Sequence, residues 1–191
     1  MRSPRDFIAR PVDGKRYSNT KLVDDTELIL SVSEEDHRYS NRQAEVLEVP
    51  VGYNGPIKKG DILLVHHNTF KFYSDMKGNQ RSGRSFIKDD LFFVDNDQFF
   101  MFHDGDKWTA HDRYCFVQPI PPSKAGIFMA SGEQPLVGIM RYPNDNLIRQ
   151  GVVAGCKVIF APDSEYEFYV DGEKLYRMFD HKISCYEEAE V

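Results

Sequence analysis

Cysteine and tryptophan are scarce in this chain, and each scarcity excludes something. There are three Cys and one Trp among 191 residues. Cys115, Cys156 and Cys185 are an odd number at wide spacing with no Cys-x-x-Cys pair, so neither a zinc site nor a disulfide framework is signalled. Reduced thiols and a cytoplasmic location are the expectation. No apolar run approaches the ~20 residues of a membrane span, which leaves no membrane partner. The opening Met-Arg-Ser-Pro-Arg-Asp-Phe has no apolar stretch of a secretory signal. Basic charge is not in excess either. Twenty-four Lys and Arg stand against 30 Asp and Glu, a net charge of −6, with no basic stripe interleaved with aromatics. That balance argues against nucleic acid or an anionic surface as partner. Helical periodicity is also sparse.

Aromatic and branched residues in short runs are what the chain does have. Fourteen Phe and ten Tyr fall, with Val and Ile, in stretches of strand length. Such residues suit half-buried pleated surfaces, and Pro, Gly and Asn/Asp clusters punctuate them. The spacing predicts strands over 7–12, 44–49, 62–65, 91–94 and 99–102, then over 114–120, 137–142, the part of 152–160 that follows its glycine turn, 168–170, 174–178 and 183–186. Asp95-Asn96-Asp97-Gln98 reads as a hairpin turn, and Asp171-Gly172 as a favoured two-residue hairpin turn. Pro143-Asn144-Asp145-Asn146 reads as a turn closing a strand. Residues 74–85 are polar and glycine-bearing, the tip of a long hairpin. The expected fold class is all-β.

The pattern occurs twice. Residues 57–65 read Ile-Lys-Lys-Gly-Asp-Ile-Leu-Leu-Val, and residues 152–160 read Val-Val-Ala-Gly-Cys-Lys-Val-Ile-Phe. Each is a lead-in, a glycine turn and a strand. Gly60 and Gly155 are 95 positions apart (155 − 60). Further on, Leu91-Phe92-Phe93-Val94 lies on Leu175-Tyr176-Arg177-Met178 at an offset of 84 (175 − 91), and 99–102 then falls on 183–186 without a gap. The difference of 11 (95 − 84) is assigned to the hairpin tip within 74–85, where insertions are tolerated. A shared order of features points to internal duplication. The expected boundary is near His103-Asp104-Gly105-Asp106-Lys107, giving domains at 1–105 and 106–191, each sufficient for a small β-barrel.

Each half also has a polar segment interrupted by three large apolar residues. Leu28, Ile29 and Leu30 sit between Asp24-Asp25-Thr26-Glu27 and Ser31-Val32-Ser33-Glu34-Glu35. Ile127, Phe128 and Met129 sit between Pro121-Pro122-Ser123-Lys124-Ala125-Gly126 and Ala130-Ser131-Gly132-Glu133. Such a triplet is either a short core strand or a set of anchors by which a flexible segment docks weakly in an apolar groove. Other motifs carry less. Gly78 to Ser85 has the spacing of a phosphate loop, but Arg84 replaces the lysine and no helix pattern follows, so a hairpin tip is the reading. His66-His67 resembles the start of a metal motif, yet Asn68 stands at the next ligand position, and adjacent strand residues point to opposite faces. They read as surface histidines. Cys156 beside Lys157 reads as a buried thiol. No nucleophile has a base and an orienter beside it, so no catalytic, cofactor-binding or metal-ligating residue is assigned.

Several stretches of the second half form one consistent set. They are Val117-Gln118-Pro119, Gly126-Ile127-Phe128-Met129, Gly138-Ile139-Met140 and Gly151-Val152-Val153-Ala154-Gly155-Cys156-Lys157-Val158-Ile159-Phe160. Glu165-Tyr166-Glu167, Asp171-Gly172-Glu173-Lys174-Leu175-Tyr176-Arg177-Met178 and Ile183 complete it. This half resembles the GroES co-chaperonins, lids of the GroEL-type chaperonin cage, over nearly all of residues 114–187. Cys156 stands where that family has Asp. The first half is similar through Ile8-Ala9-Arg10-Pro11, Glu45-Val46-Leu47 and Gly60-Asp61-Ile62-Leu63-Leu64-Val65, although its triplet lacks a preceding glycine. The family includes a tandem form, the plastid co-chaperonin with two GroES units in one chain.

The resemblance implies two GroES-like small β-barrels in tandem, a homo-oligomeric ring, and a GroEL-type chaperonin as partner. The chaperonin contacts carried over are Gly126, Ile127, Phe128 and Met129, with Leu28, Ile29 and Leu30 as their equivalents in the first half. Gly126 and Gly132 would keep the second loop mobile. Residues near 52–56 and 143–146 would correspond to the family's roof loops. The resemblance implies no chemistry of the chain's own, because the ATPase belongs to the partner. A structural or assembly protein built from a duplicated barrel is the alternative.

Overall fold

The computed structural model describes residues 1–17, 20–23, 26–29, 40–122 and 132–188. The chain divides into two units, Met1–Lys107 and Trp108–Val191. In the first, the strands are β1 (Phe7–Pro11), β2 (Thr20–Val23), β3 (Thr26–Ile29), β4 (Gln43–Glu48) and β5 (Ile62–Val65). They continue with β6 (Phe72–Ser74), β7 (Gln80–Ser82), β8 (Phe86–Lys88), β9 (Leu91–Val94) and β10 (Phe99–His103). Within this unit the main sheet has the order β10-β5-β4-β1-β9-β8, with antiparallel neighbours. The pairs β2–β3 and β6–β7 are separate two-stranded hairpins. On β4, Ala44 and Val46 are buried while Glu45 and Leu47 are half-buried, the period of two that a strand imposes. The core gathers Phe7, Ala9, Val46, Leu63, Val65, Phe92, Val94 and Phe99. Its rings meet edge to face, Phe7 with Phe99 at 5.6 Å and Phe70 with Phe92 at 4.8 Å.

The second unit contains β11 (Trp108–Ala110), β12 (Tyr114–Pro119), β13 (Val137–Tyr142), the helix α1 (Asp145–Arg149) and β14 (Lys157–Phe160). It ends with β15 (Tyr166–Val170), β16 (Glu173–Phe179) and β17 (Ile183–Glu187). Its sheet order is β15-β16-β12-β13-β14-β17. The fold is all-β, with one α-helix of five residues among the described residues. Neither sheet closes into a barrel there.

The two orders are the same order. β8, β9, β1, β4, β5 and β10 correspond in turn to β15, β16, β12, β13, β14 and β17. The registers agree as well. Ala9 pairs with Val46 and Phe92, and Val117 pairs with Met140 and Tyr176. Phe102 pairs with Leu63, and Tyr186 with Val158. A bulge falls between Ile8 and Ala9 and again between Phe116 and Val117. Phe92 to Tyr176 and Phe102 to Tyr186 are both offsets of 84 (176 − 92, 186 − 102). The offset is 108 at Ala9 to Val117 and 94 at Val46 to Met140, so the connection between these strands is 14 residues longer (108 − 94) in the first unit.

Both glycine turns are built alike. Gly60 and Gly155 each have φ +94, the left-handed region that glycine enters without steric penalty. Gly60 N–H donates to Val46 O at 2.8 Å and Val46 N–H to Asp61 O at 2.9 Å. Gly155 N–H donates to Met140 O at 2.8 Å and Met140 N–H to Cys156 O at 2.9 Å. Asp171 (φ +50) and Gly172 (φ +80) make the two-residue turn of the β15–β16 hairpin, as its sequence predicts.

Two local expectations are corrected. Asp95–Gln98 does turn, with Gln98 N–H donating to Asp95 O at 3.1 Å, but β9 and β10 do not pair with each other. Turn chemistry sets the reversal. Pairing is set by which strands bury their apolar faces together, and β9 lies on β1 while β10 lies on β5. The stretch after Pro143 is the start of α1 rather than a turn alone. Asn144 caps it by accepting Leu147 N–H at 2.9 Å, and Leu147 is buried.

Gly138 shows how closely the second unit packs. It pairs with Pro119 and Val158, and a Cβ there would lie 2.7 Å from Gln118 O and overlap Val117 Cγ1. Ala44 occupies the corresponding position of the first unit and is fully buried. Gly138→Ala is therefore expected to destabilise the second unit by about 1–3 kcal/mol. Trp108 fluorescence in a denaturant titration reads this, because the indole is buried and donates to Asp171 Oδ2 at 2.9 Å. An unchanged midpoint would contradict the packing argument.

Candidate functional site

The two apolar triplets stand in corresponding connections. One connection runs from β1 to β4 and the other from β12 to β13. In the first, Leu28 pairs with Lys21 and Ile29 with Thr20 across the β2–β3 hairpin. The backbone of these two residues is thus strand, where the resemblance implies a mobile loop. Leu30 lies outside the described residues, as do the side chains of Leu28 and Ile29. Gly126, Ile127, Phe128 and Met129 also lie outside them. Gly132 is described, with φ +128, a conformation that favours glycine.

What the structure does describe is how each connection is fastened at its ends. In the second unit, Gln134 N–H donates to Ile120 O at 2.9 Å, and Gln134 Nε2 to Pro121 O at 3.2 Å. Glu133, next to Gln134, is tied to β16. Lys174 Nζ lies 2.9 Å from Glu133 and 3.0 Å from Glu167, and Tyr176 Oη–H donates to the Glu133 carboxylate. Burial pushes the Glu133 carboxyl up, but the bonds from Tyr176 and Lys174 together outweigh it and hold it below the usual range. The hydrogen bond to Glu133 raises Lys174 above the ordinary lysine range.

In the first unit the closure uses other residues. Asn41 N–H donates to Arg16 O at 2.9 Å, Asn41 Nδ2 donates to Val12 O at 3.0 Å and Lys15 O at 2.8 Å, and Tyr17 bridges to Ser40. The Arg16 guanidinium lies 4.1 Å from the Phe72 ring centre, 4.9 Å from Phe86 and 4.8 Å from Phe92, and donates to Ser82 Oγ at 3.0 Å and to Asp89 O at 3.3 Å. Tyr17 Oη accepts Phe72 N–H at 2.8 Å. Burial lowers the Arg16 pKa, with Asp90 acting against it. Both connections therefore leave and re-enter the sheet at fixed points. Sequence reading missed Arg16, Tyr17, Asn41 and Gln134. Each acts through partners distant in sequence, and no local spacing marks them.

The remaining motifs fall as follows. Asp75 to Asn79 form the tip of the β6–β7 hairpin, with the Asp75 carboxylate accepting the Lys77 and Asn79 N–H groups at 2.9 Å each. The Gly78 to Ser85 stretch runs from that tip through β7. His66 and His67 follow β5 with their rings 4.1 Å apart. Cys115 and Cys156 are buried and Cys185 is exposed. Burial, with the Asp180 charge beside it, pushes the Cys115 thiol up to about 12. Among the described residues no three His, Cys, Asp or Glu side chains are grouped to hold a metal ion, and no helix is long and apolar enough to cross a membrane. The stretches expected as roof loops differ. Gly52 turns at φ +80 with Tyr53 packed on Phe7 at 5.0 Å, whereas 143–146 leads into α1. No family model, curated protein or solved structure matches the chain.

The fastening at Glu133 is pH-dependent with a definite sign. A carboxyl held low contributes stability above its unfolded value and loses it as pH falls through the folded value. Lys174, held high, keeps its contribution until pH rises past the ordinary lysine range. At pH 6, Glu133→Gln is expected to raise exchange of the Gln134 amide about fivefold, or about 1 kcal/mol for a partly exposed ion pair. Unmodified protein should show a similar rise, after correction for intrinsic rates, on acidification below the ordinary glutamate range. Exchange indifferent to both changes would remove Glu133 from the closure.

Proposed function

We propose that the chain is a tandem GroES-like co-chaperonin of the cytoplasm. It assembles as a homo-oligomeric ring and caps a GroEL-type chaperonin through its two apolar triplets. Each unit is a GroES-like small β-barrel in this reading. Binding follows the partner's ATP cycle, and the chain assists folding without chemistry of its own. The observation that supports this is positional. Leu28-Ile29-Leu30 and Ile127-Phe128-Met129 occupy the connection between corresponding strands, in a chain whose residues 114–187 resemble GroES. Anchors on fastened segments bind weakly enough to release, because ordering the segment offsets part of the contact energy.

Native mass measurement of the chain with a GroEL-type chaperonin, with and without ATP, tests the reading. A complex that forms only with nucleotide is expected. Phe128→Asp together with Ile29→Asp should abolish it, since an anchor of this kind contributes about 2 kcal/mol or more. Trp108 fluorescence checks that the second unit is folded, and far-ultraviolet circular dichroism checks the whole chain. Binding that survives both substitutions in a folded chain rejects the triplets as anchors. Assembly with no chaperonin complex favours the structural-protein alternative.

A further inference from the structure

The first unit carries a groove of about 640 Å3 on the face of β1, β4, β5 and β9 opposite the core. Its floor is Val12, Leu47, Ile62 and Leu91, all half-buried. Its rim is acidic, with Asp13, Glu45, Asp89 and Asp90. Glu45 is held by Arg10 at 2.8 Å, and Asp90 shares the field of Arg16. Asp13 and Asp89 have no ion-pair partner among the described residues. Four carboxylates against Arg10 in the lining and Arg16 beside Asp89 and Asp90 leave it two charges negative (4 − 2).

The corresponding face of the second unit is finished differently. The position of Leu47 there is Arg141, and that of Ile62 is Lys157 (141 − 47 = 94, 157 − 62 = 95, the offsets of the flanking core strands). Arg141 reaches Glu173 at 3.0 Å, and Lys157 reaches Glu187 at 3.2 Å. The second unit thus covers this face with its own bases. The first presents leucine and isoleucine beneath free carboxylates.

We propose that this groove docks a segment of a partner protein that presents lysine or arginine among apolar residues. The apolar side chains cover Leu47 and Ile62, and the cation sits against Asp13 and Asp89, as Arg141 sits against Glu173 in the second unit. A small cation alone leaves the floor wet. A second copy that met this face with its own would set one acidic rim against another. The proposal does not depend on the co-chaperonin reading.

Fluorescence polarisation of the full chain with a labelled Leu-Lys-Leu-Lys-Leu-Lys-Leu peptide tests it, beside the version with glutamate for lysine and a heptamer of lysine alone. Saturable binding of the first peptide only, weakening with salt, is expected. Asp13→Asn with Asp89→Asn should weaken it about tenfold. Both residues sit at positive φ (+60 and +49), which Asn tolerates, so the turns persist. Leu47→Arg, which supplies the second unit's own base, should also abolish binding in a chain whose far-ultraviolet circular dichroism and two-unit denaturation profile are unchanged. Three results would overturn the proposal: equal binding of the lysine heptamer or the glutamate peptide, no effect of either variant, or self-association of the chain that Leu47→Arg removes.

Discussion

Two backbone hydrogen bonds on Val46, and their counterparts on Met140, set the register on which each unit depends. Val46 gives its N–H to Asp61 and accepts from Gly60, and Met140 does the same with Cys156 and Gly155. Only a residue at home near φ +94 closes the turn that brings these groups together. Once it is closed, β5 and β14 enter the sheet with Leu63 and Val158 facing the core. A slip of one residue would turn those side chains to the opposite face. The order of six strands and their pairings follow in both units.

Within this shared frame the two units reach stability by different packing. Cys115 takes the position of Phe7, and Met178 that of Val94. The first core cluster holds five phenylalanines, while its counterpart in the second unit sets one, Phe160, among sulfur-bearing and aliphatic side chains. At the glycine turn, Asp61 Oδ2 accepts Lys58 N–H at 2.7 Å and so closes the turn by a side-chain bond. Cys156 takes that position and is buried among apolar neighbours. A polar closure has become a core contact without moving the backbone bonds. The short helix α1 adds Leu147 to the second core, and the Asn144 that caps it also donates to Asp112 O and Asp180 Oδ2.

The outward features of the two units have diverged as well. Each connection that bears an apolar triplet is fastened where it joins the sheet, by Arg16, Tyr17 and Asn41 in one unit and by Glu133 and Gln134 in the other. The faces behind β4 and β13 have also diverged. One is an apolar groove under an acidic rim, and the other is covered by ion pairs. Duplicated units that keep one register while altering their outer faces can hold different partners on one scaffold.

The sequence by itself determined the features whose causes are local. The period-two strands, the glycine turns, the Asp171-Gly172 hairpin and the offset of 84 at the end of each half could all be read from neighbouring residues. Cys156 as a buried thiol was legible for the same reason. Other features depend on residues far apart in the chain, and only the tertiary structure decided them. The turn at 95–98 was visible, but the separation of β9 and β10 was not, because pairing follows burial across the whole sheet. The helix after Asn144 was hidden by a composition that suits turns and caps alike. Arg16 lies 66 positions from Ser82 and 73 from Asp89, so no spacing marked it. The groove joins Val12, Leu47, Ile62 and Leu91 across four separate stretches, and folding alone places them on one face.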